Sequence, residues 1–426
     1  MKILMMILYF PPAHTGGAEK QCWEQARALA ARGHDVTVLT EWWAWRSRKN
    51  EVKENVRILR LGCGLPIVSL ARRTHDGLVV WWRSRKKTRW DPGANASNPA
   101  ASRSAEPPRK RFRFMAPVEW MGQLSFILAV AWAVSTRRWA VDVVHVHESH
   151  WMAGFAHWVA EKLHAPIACT EHNGRGALEW PGMPDVPGLP RWRRRRDRCV
   201  FLSIAVSTRR SLEAKGIPPA QIIDVHNGVE IPAQTATVAD QNEVIYVGNF
   251  TQGEAKAFDV LFQAWGKVHR REPAARLRIY GSGNASSWKQ FAQEAGCGDS
   301  VSFEGQTDRV TEKLLASGIF VLPSRWEGLS CALLEAQAAG LPAVVSDIGG
   351  NREVVENGVN GRVVPTGDAD ALAQAIVQLY QSPALRVQMG GAARARVQEV
   401  FAIEKVAAQL EAAYVQVRAA ADGRRP

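Results

Sequence analysis

No Cys-x-x-Cys pair occurs among the six cysteines of this 426-residue chain, which stand singly at 22, 63, 169, 199, 297 and 331. Metal-ligand spacing is thereby absent, and a reduced, cytoplasmic protein is the simplest reading. Long apolar runs are missing too. The longest uncharged one, Trp120 to Thr136, has seventeen residues, short of the roughly twenty that cross a bilayer; it is predicted to be a buried helix ahead of a strand over 141–146. No G-x-G-x-x-G directly follows a strand. After the first strand, Pro11-Pro12 interrupts the tight turn that a dinucleotide site needs, although Glu41 ends the second strand at a suitable distance. Asp368-Ala-Asp370 has the letters of an Asp-x-Asp metal motif but follows Gly367 at the start of a helical pattern, where it reads as a helix cap, so it calls for no metal. No repeat of solenoid length is present.

What charge there is lies unevenly. The net charge is +13, but residues 72–116 hold twelve Lys/Arg against three acids and 191–198 hold six Arg against one, leaving the rest near neutral. A general nucleic-acid binder is therefore a poor description, and no nucleic-acid partner is expected. Fourteen of the seventeen Trp fall within residues 1–192, and Trp81, Trp82, Trp90 and Trp192 interleave with the arginines. Cations with indoles suit a protein resting on anionic headgroups, with a peripheral position on the inner face of the membrane; a solvated basic loop is the alternative. Residues 83–117, rich in Pro, Ser, Ala and Arg, read as a mobile insertion.

Length favours two domains of about 200 residues each, and 46% apolar composition suffices for both cores. Strand-like runs at 2–9, 35–40, 56–61, 141–146, 166–170, 201–206, 222–225, 243–247, 276–280, 319–322, 342–346 and 362–364 alternate with helical patterns, which predicts parallel α/β sheets. The apolar start resembles a signal peptide, but its place in a β-loop-α-β unit argues that it is the first strand. Residues 231–242 lack either periodicity and read as a linker.

Chemistry concentrates in Pro323-Ser-Arg-Trp-Glu-Gly-Leu-Ser-Cys-Ala-Leu-Leu-Glu335. Glu327 is placed at the carboxyl edge of a buried strand and Glu335 within a helix over 330–339, with Gly328 permitting close backbone approach. Spacing alone leaves open a ligand site or a dipole-complementing acid with one solvated Glu.

This segment resembles the Glu-seven-residues-Glu signature of retaining, nucleotide-sugar-dependent glycosyltransferases of family four. Further landmarks run in order along the chain: Gly16-Gly-Ala-Glu19, Asp142-Val-Val-His-Val-His147, Thr170-Glu-His-Asn173, Val206-Ser207, His226-Asn-Gly-Val-Glu230, Tyr246-Val-Gly248, Tyr280-Gly-Ser-Gly283, Val301-Ser-Phe-Glu-Gly305 and Ser346-Asp-Ile-Gly-Gly-Asn-Arg-Glu353. The resemblance implies a GT-B fold, two Rossmann-like domains facing across a cleft. An acceptor-side domain would span 1–230, a nucleotide-sugar domain 243–402, and a helix over 403–426 would cross back. It implies that Glu327 bonds the sugar's hydroxyls, that Gly328, Leu329 and Ser330 present amides, and that Glu335 takes the ribose diol. Gly16 and Gly17 would approach phosphate or acceptor, His147 would donate to the sugar, and Glu171 and His172 would lie on the acceptor side. His145 is read as facing the other way, into the core, with His150 a competitor for the role of His147. The phosphate clamp departs from the family pattern: Lys256 stands two residues late and Asn249 replaces the usual Arg, so Arg325 or Arg352 is a candidate substitute. The implied activity is metal-independent hexosyl transfer from an NDP-sugar co-substrate, with no cofactor, to a saccharide or lipid-linked acceptor in cell-surface polysaccharide or glycolipid synthesis. A non-catalytic binding protein of this fold and an enzyme with a soluble small acceptor are the alternatives.

Overall fold

The computed structural model describes residues 1–11, 16–42, 49–62, 116–147, 151–172, 199–240, 242–250 and 253–422. Residues 83–115 of the basic insertion, His150, Trp81, Trp82, Trp90, Trp192 and Arg193 to Arg196 lie outside these residues, and the last two residues of the insertion begin a helix.

The first half runs β1 (Lys2–Met6), α1 (Gly17–Ala31), β2 (Asp35–Glu41), β3 (Asn50–Lys53), β4 (Val56–Leu61), α2 (Ala116–Thr136), β5 (Val143–Val146), α3 (Trp151–Lys162), β6 (Ile167–Glu171), β7 (Cys199–Ser203), α4 (Val206–Ala214) and β8 (Ile222–Asp224). These strands form a sheet of order β3-β4-β2-β1-β5-β6-β7-β8, parallel except for the β3–β4 hairpin. The second half runs β9 (Glu243–Val247), α5 (Phe258–Arg271), β10 (Arg276–Tyr280), α6 (Ser286–Glu294), β11 (Val301–Gly305), α7 (Val310–Leu315), β12 (Ile319–Leu322), α8 (Cys331–Ala338), β13 (Ala343–Ser346), α9 (Gly349–Val354), β14 (Gly361–Val364), α10 (Ala369–Gln381) and α11 (Pro383–Val400). Its sheet, β11-β10-β9-β12-β13-β14, is wholly parallel. Central strands such as β12 (IFVL) and β13 (AVVS) are buried at every position, as a sheet covered on both faces requires.

A last helix, α12 (Ile403–Asp422), leaves the second half and buries Val406, Ala407, Leu410, Ala413, Tyr414 and Val417 in the core of the first. The connection over 231–242 is pinned rather than slack. The buried Arg386 guanidinium donates to the carbonyls of Val238 and Ala239, and Arg394 donates to those of Pro232 and Gln234.

Two expectations need correction. The Trp120–Thr136 run is helical, but it is not a buried helix: Phe126 and Val130 enter the core while Leu124, Leu128 and Trp132 face outward. β3 and β11, both edge strands, had no counterpart among the expected strands.

Both sheets reverse strand order at their first strand. β1 lies between β2 and β5, and β9 between β10 and β12. Loops leaving the carboxyl edge on either side of such a point diverge and open a crevice.

Candidate functional site

On the second half's wall, the loop after β9 meets the loop after β12, because these strands are neighbours at the reversal. Lys256 Nζ lies 2.5 Å from Glu327 Oε1, and Ser324 Oγ donates to the same oxygen at 2.8 Å. Among the described residues Glu327 Oε2 has no protein partner. Gly328 is required by space: a Cβ there would stand 2.6 Å from the His172 carbonyl oxygen of the other half. The backbone amides of Gly328, Leu329 and Ser330 donate to no protein group among the described residues. Ser330 caps α8, its Oγ accepting from the Leu333 amide at 3.4 Å. Three amides ahead of a capped helix make a donor cluster suited to oxygen-rich ligands.

Arg325 is committed elsewhere. It is bidentate to Asp259 at 2.8 and 2.6 Å and donates to the Glu254 carbonyl at 2.9 Å, while its amide donates to the Ala255 carbonyl. This clamps the turn that carries Lys256. Arg352 is exposed and pairs with Asp347. Asn249 is half-buried just after β9.

The opposing wall is built from imidazoles. His145 and His147 share a face of β5, their ring centroids 4.2 Å apart, since residues two apart on a strand point the same way. The expectation that His145 turns away from His147 is therefore wrong, although its burial is right. His145 lies 2.7 Å from the Tyr414 hydroxyl of the crossing helix and 2.6 Å from Thr170 Oγ1. His147 Nδ1 lies 3.2 Å from His172 Nε2, and its own Nε2 is buried without a partner. Burial lowers all three: His145 to about 3, His172 to about 4, and His147, also beside His145 and His172, well below the ordinary value. The cluster is thus neutral, and the buried, unpartnered His147 nitrogen is a polar atom that a ligand hydroxyl would satisfy. Glu171 is buried at the end of β6.

Direct contacts join the walls. Lys20, on the first turns of α1, reaches Glu335 Oε1 at 2.8 Å; burial pulls its pKa down, but Glu335 outweighs that and leaves it raised. Gln21 exchanges two hydrogen bonds with the Gly228 backbone, Asn227 Nδ2 donates to the Leu329 carbonyl, and Glu353 accepts from the Val206 amide. Gly16 and Gly17 begin α1 on an exposed edge of this seam, and a Cβ on Gly17 would lie 3.5 Å from Cys331 Sγ.

Residues 16–228 match the family pattern described as "Glycosyl transferase 4-like domain", and 241–382 that described as "Glycosyl transferases group 1". The chain is a family-four glycosyltransferase. Glycogen synthase of Mycobacterium tuberculosis is 26% identical to this glycosyltransferase over 98% of the chain and 95% of its own length. Sucrose-phosphate synthase from Thermosynechococcus elongatus superposes with a TM-score of 0.72 at 21% identity, covering 98% of this chain and 99% of that one. Anabaena HepE in complex with UDP and glucose superposes with a TM-score of 0.68 at 14% identity, covering 97% and 99%. The fold is GT-B.

Three residues of this candidate site escaped sequence reasoning. Lys20 directly follows the Gly16–Glu19 landmark, but its contact with Glu335 spans over 300 residues. Ser324 is visible only as a neighbour of Glu327. Tyr246 is wholly buried with its hydroxyl unpartnered, and burial together with Glu327 raises its pKa well above the ordinary value. Among the described residues no group of three His, Cys, Asp or Glu is placed to hold a metal ion, and no helix is long and apolar enough to cross a membrane.

Proposed function

We propose that this glycosyltransferase moves a hexosyl group from an NDP-sugar, with retention and without a metal, to a saccharide or lipid-linked acceptor at an anionic membrane surface, in cell-surface polysaccharide or glycolipid synthesis. The observation that carries the reading is Glu327. Lys256 and Ser324 hold one carboxylate oxygen and leave the other free, beside the three unpartnered amides of Gly328, Leu329 and Ser330. In this reading Oε2 and the amides take the donor's hydroxyls and phosphates. Lys256 turns from Glu327 to the diphosphate as leaving-group charge develops, where a fixed cation acts most strongly. Arg325 positions the Lys256 turn, and Asn249 contributes an uncharged contact where relatives place Arg.

Glu335 accepts both hydroxyls of the ribose diol once Lys20 yields its place, since a vicinal diol offers two donors to one carboxylate. His147 meets the transferred sugar, with His172 fixing which of its ring nitrogens carries hydrogen. Gly16 and Gly17 face phosphate or acceptor, and Glu171 and His172 line the acceptor side. The UDP and glucose bound to the HepE neighbour support a nucleotide-sugar donor; no cofactor is needed beyond it.

The test is hydrolysis of UDP-, GDP- and ADP-glucose without acceptor, with and without EDTA, following the anomer of released glucose by NMR. EDTA-insensitive release of the α-anomer first is expected. Failure to hydrolyse any donor, together with no thermal shift from UDP, GDP or ADP, would favour a non-catalytic binding protein.

A further inference from the structure

Helix α2 presents an outward face unlike any other surface of the described residues. Its inner side places Phe126, Val130 and Val134 in the core against α3 and buries Ala133. Its outer side exposes Leu124 by 51%, Leu128 by 60% and Trp132 by 64%. These positions are four apart, so they form one stripe about 12 Å long on a helix rising 1.5 Å per residue. The other large exposed apolar residues among those described are scattered valines: Val52, Val206, Val359, Val387 and Val415. A surface helix ordinarily turns charge outward, yet no Asp, Glu, Lys or Arg occurs from Trp120 to Thr136. Cations then appear at once, with Arg137 and Arg138 both exposed at the end of the stripe.

We propose that the Leu124–Leu128–Trp132 ridge, with Arg137 and Arg138, is a docking surface for an anionic lipid bilayer, on which α2 lies flat with its outer side chains in the headgroup–acyl boundary. Charge complementarity selects this occupant. Paired arginines meet lipid phosphate while leucines and an indole enter the interface, the composition of a helix that lies on a membrane. The shape agrees, because the ridge is one residue wide, flanked by half-buried Ser125, Ile127, Ala129 and Ala131. Its place in the fold agrees as well: α2 leads within seven residues to β5, which carries His147 to the cleft. Docking here would hold the imidazole wall near a lipid-borne acceptor. The inference rests on the membrane clause of the proposed function, and it makes no use of the basic stretches at 72–115 and 191–198.

The experiment is co-sedimentation of the full chain with phosphatidylcholine vesicles and with phosphatidylcholine–phosphatidylglycerol vesicles, comparing wild type with Leu128→Glu/Trp132→Glu and with Arg137→Gln/Arg138→Gln. The apolar double variant should lose about tenfold or more of its partition to anionic vesicles. The arginine variant should lose several-fold, in a salt-dependent way. Donor hydrolysis and melting temperature should be unchanged in both. If wild type binds anionic vesicles and the apolar variant binds equally, the ridge is overturned while the membrane reading stands on other surfaces. Absence of wild-type binding to either vesicle overturns both. A wild-type dimer that the apolar variant dissolves without altered vesicle binding assigns the ridge to a second copy and overturns the lipid assignment.

Discussion

The two walls of the cleft are chemically opposite. One presents His145 and His147, buried, and His172, half-buried, all neutral and without a counter-ion among the described residues; the other presents Lys256 against Glu327, Arg325 against Asp259 and Arg352 against Asp347. A neutral imidazole in a dry site makes directional hydrogen bonds without paying to desolvate an ion, which suits hydroxyls. Fixed cations suit a diphosphate. The difference divides polarity between the two walls of one cleft, the division that the proposed handling of sugar and leaving group calls for. The Lys20–Glu335 pair sets a charge of one half against a charge of the other across the seam.

The severest break is on the charged wall. Lys256→Ala should lower turnover with NDP-sugar by about 10²–10³-fold, the scale for removing one stabiliser of developing charge, with the circular dichroism spectrum unchanged. Undiminished turnover would mean that another cation holds the phosphates.

Next comes the neutral wall, through pH. Folding lowers each His pKa, so the unfolded chain takes up protons first as pH falls below the unperturbed value near 6.5. Stability contributed by this cluster is therefore whole above about pH 6.5. It declines as pH falls toward the folded values of about 4 for His172 and about 3 for His145. The slope approaches about 1.4 kcal/mol per pH unit for each group. Melting temperature measured from pH 8 to pH 4 should begin to fall near pH 6.5, and His172→Gln should flatten the fall. A melting temperature constant down to pH 5 would show that these imidazoles do not stay neutral in the fold.

The bridge between the walls should give the smallest effects. Glu335→Gln should weaken nucleoside diphosphate binding by about 1.5–3 kcal/mol in calorimetry, the range for a hydrogen bond to a charged group. Lys20→Met should tighten it by no more than several-fold, because the Lys20 side chain is 41% exposed and such pairs are worth about 1 kcal/mol or less. Weaker binding in Lys20→Met would instead make Lys20 a ligand of the nucleotide.

Much of this architecture was legible before folding. Buried strands announce themselves as short apolar runs, and β9, β10, β12 and β4 match their expected ranges. Edge strands do not: β3 reads Asn-Glu-Val-Lys, and β11 alternates half-buried and exposed residues, so neither offers a continuous apolar signal. The helix over Trp120–Thr136 was legible as apolar, but hydropathy does not say which apolar face finds a cover. The shared face of His145 and His147 follows from the strand period of two and was available in the sequence; the opposite expectation misapplied it.

The sequence by itself determined the local chemistry: the order of strands and helices, the spacing of Glu327 and Glu335, the glycine where backbone must approach, and the cap at Ser330. These follow from periodicity, backbone freedom and short-range hydrogen bonding, which act over a few residues. Tertiary structure alone decided the pairings across the cleft: Lys256 with Glu327, Arg325 with Asp259 rather than with a ligand, Lys20 with Glu335, and Tyr414 of the crossing helix with His145. The reason is geometric. Which charges meet depends on where each sheet reverses its strand order and on how two separately packed cores sit against each other, and neither is encoded in a local pattern.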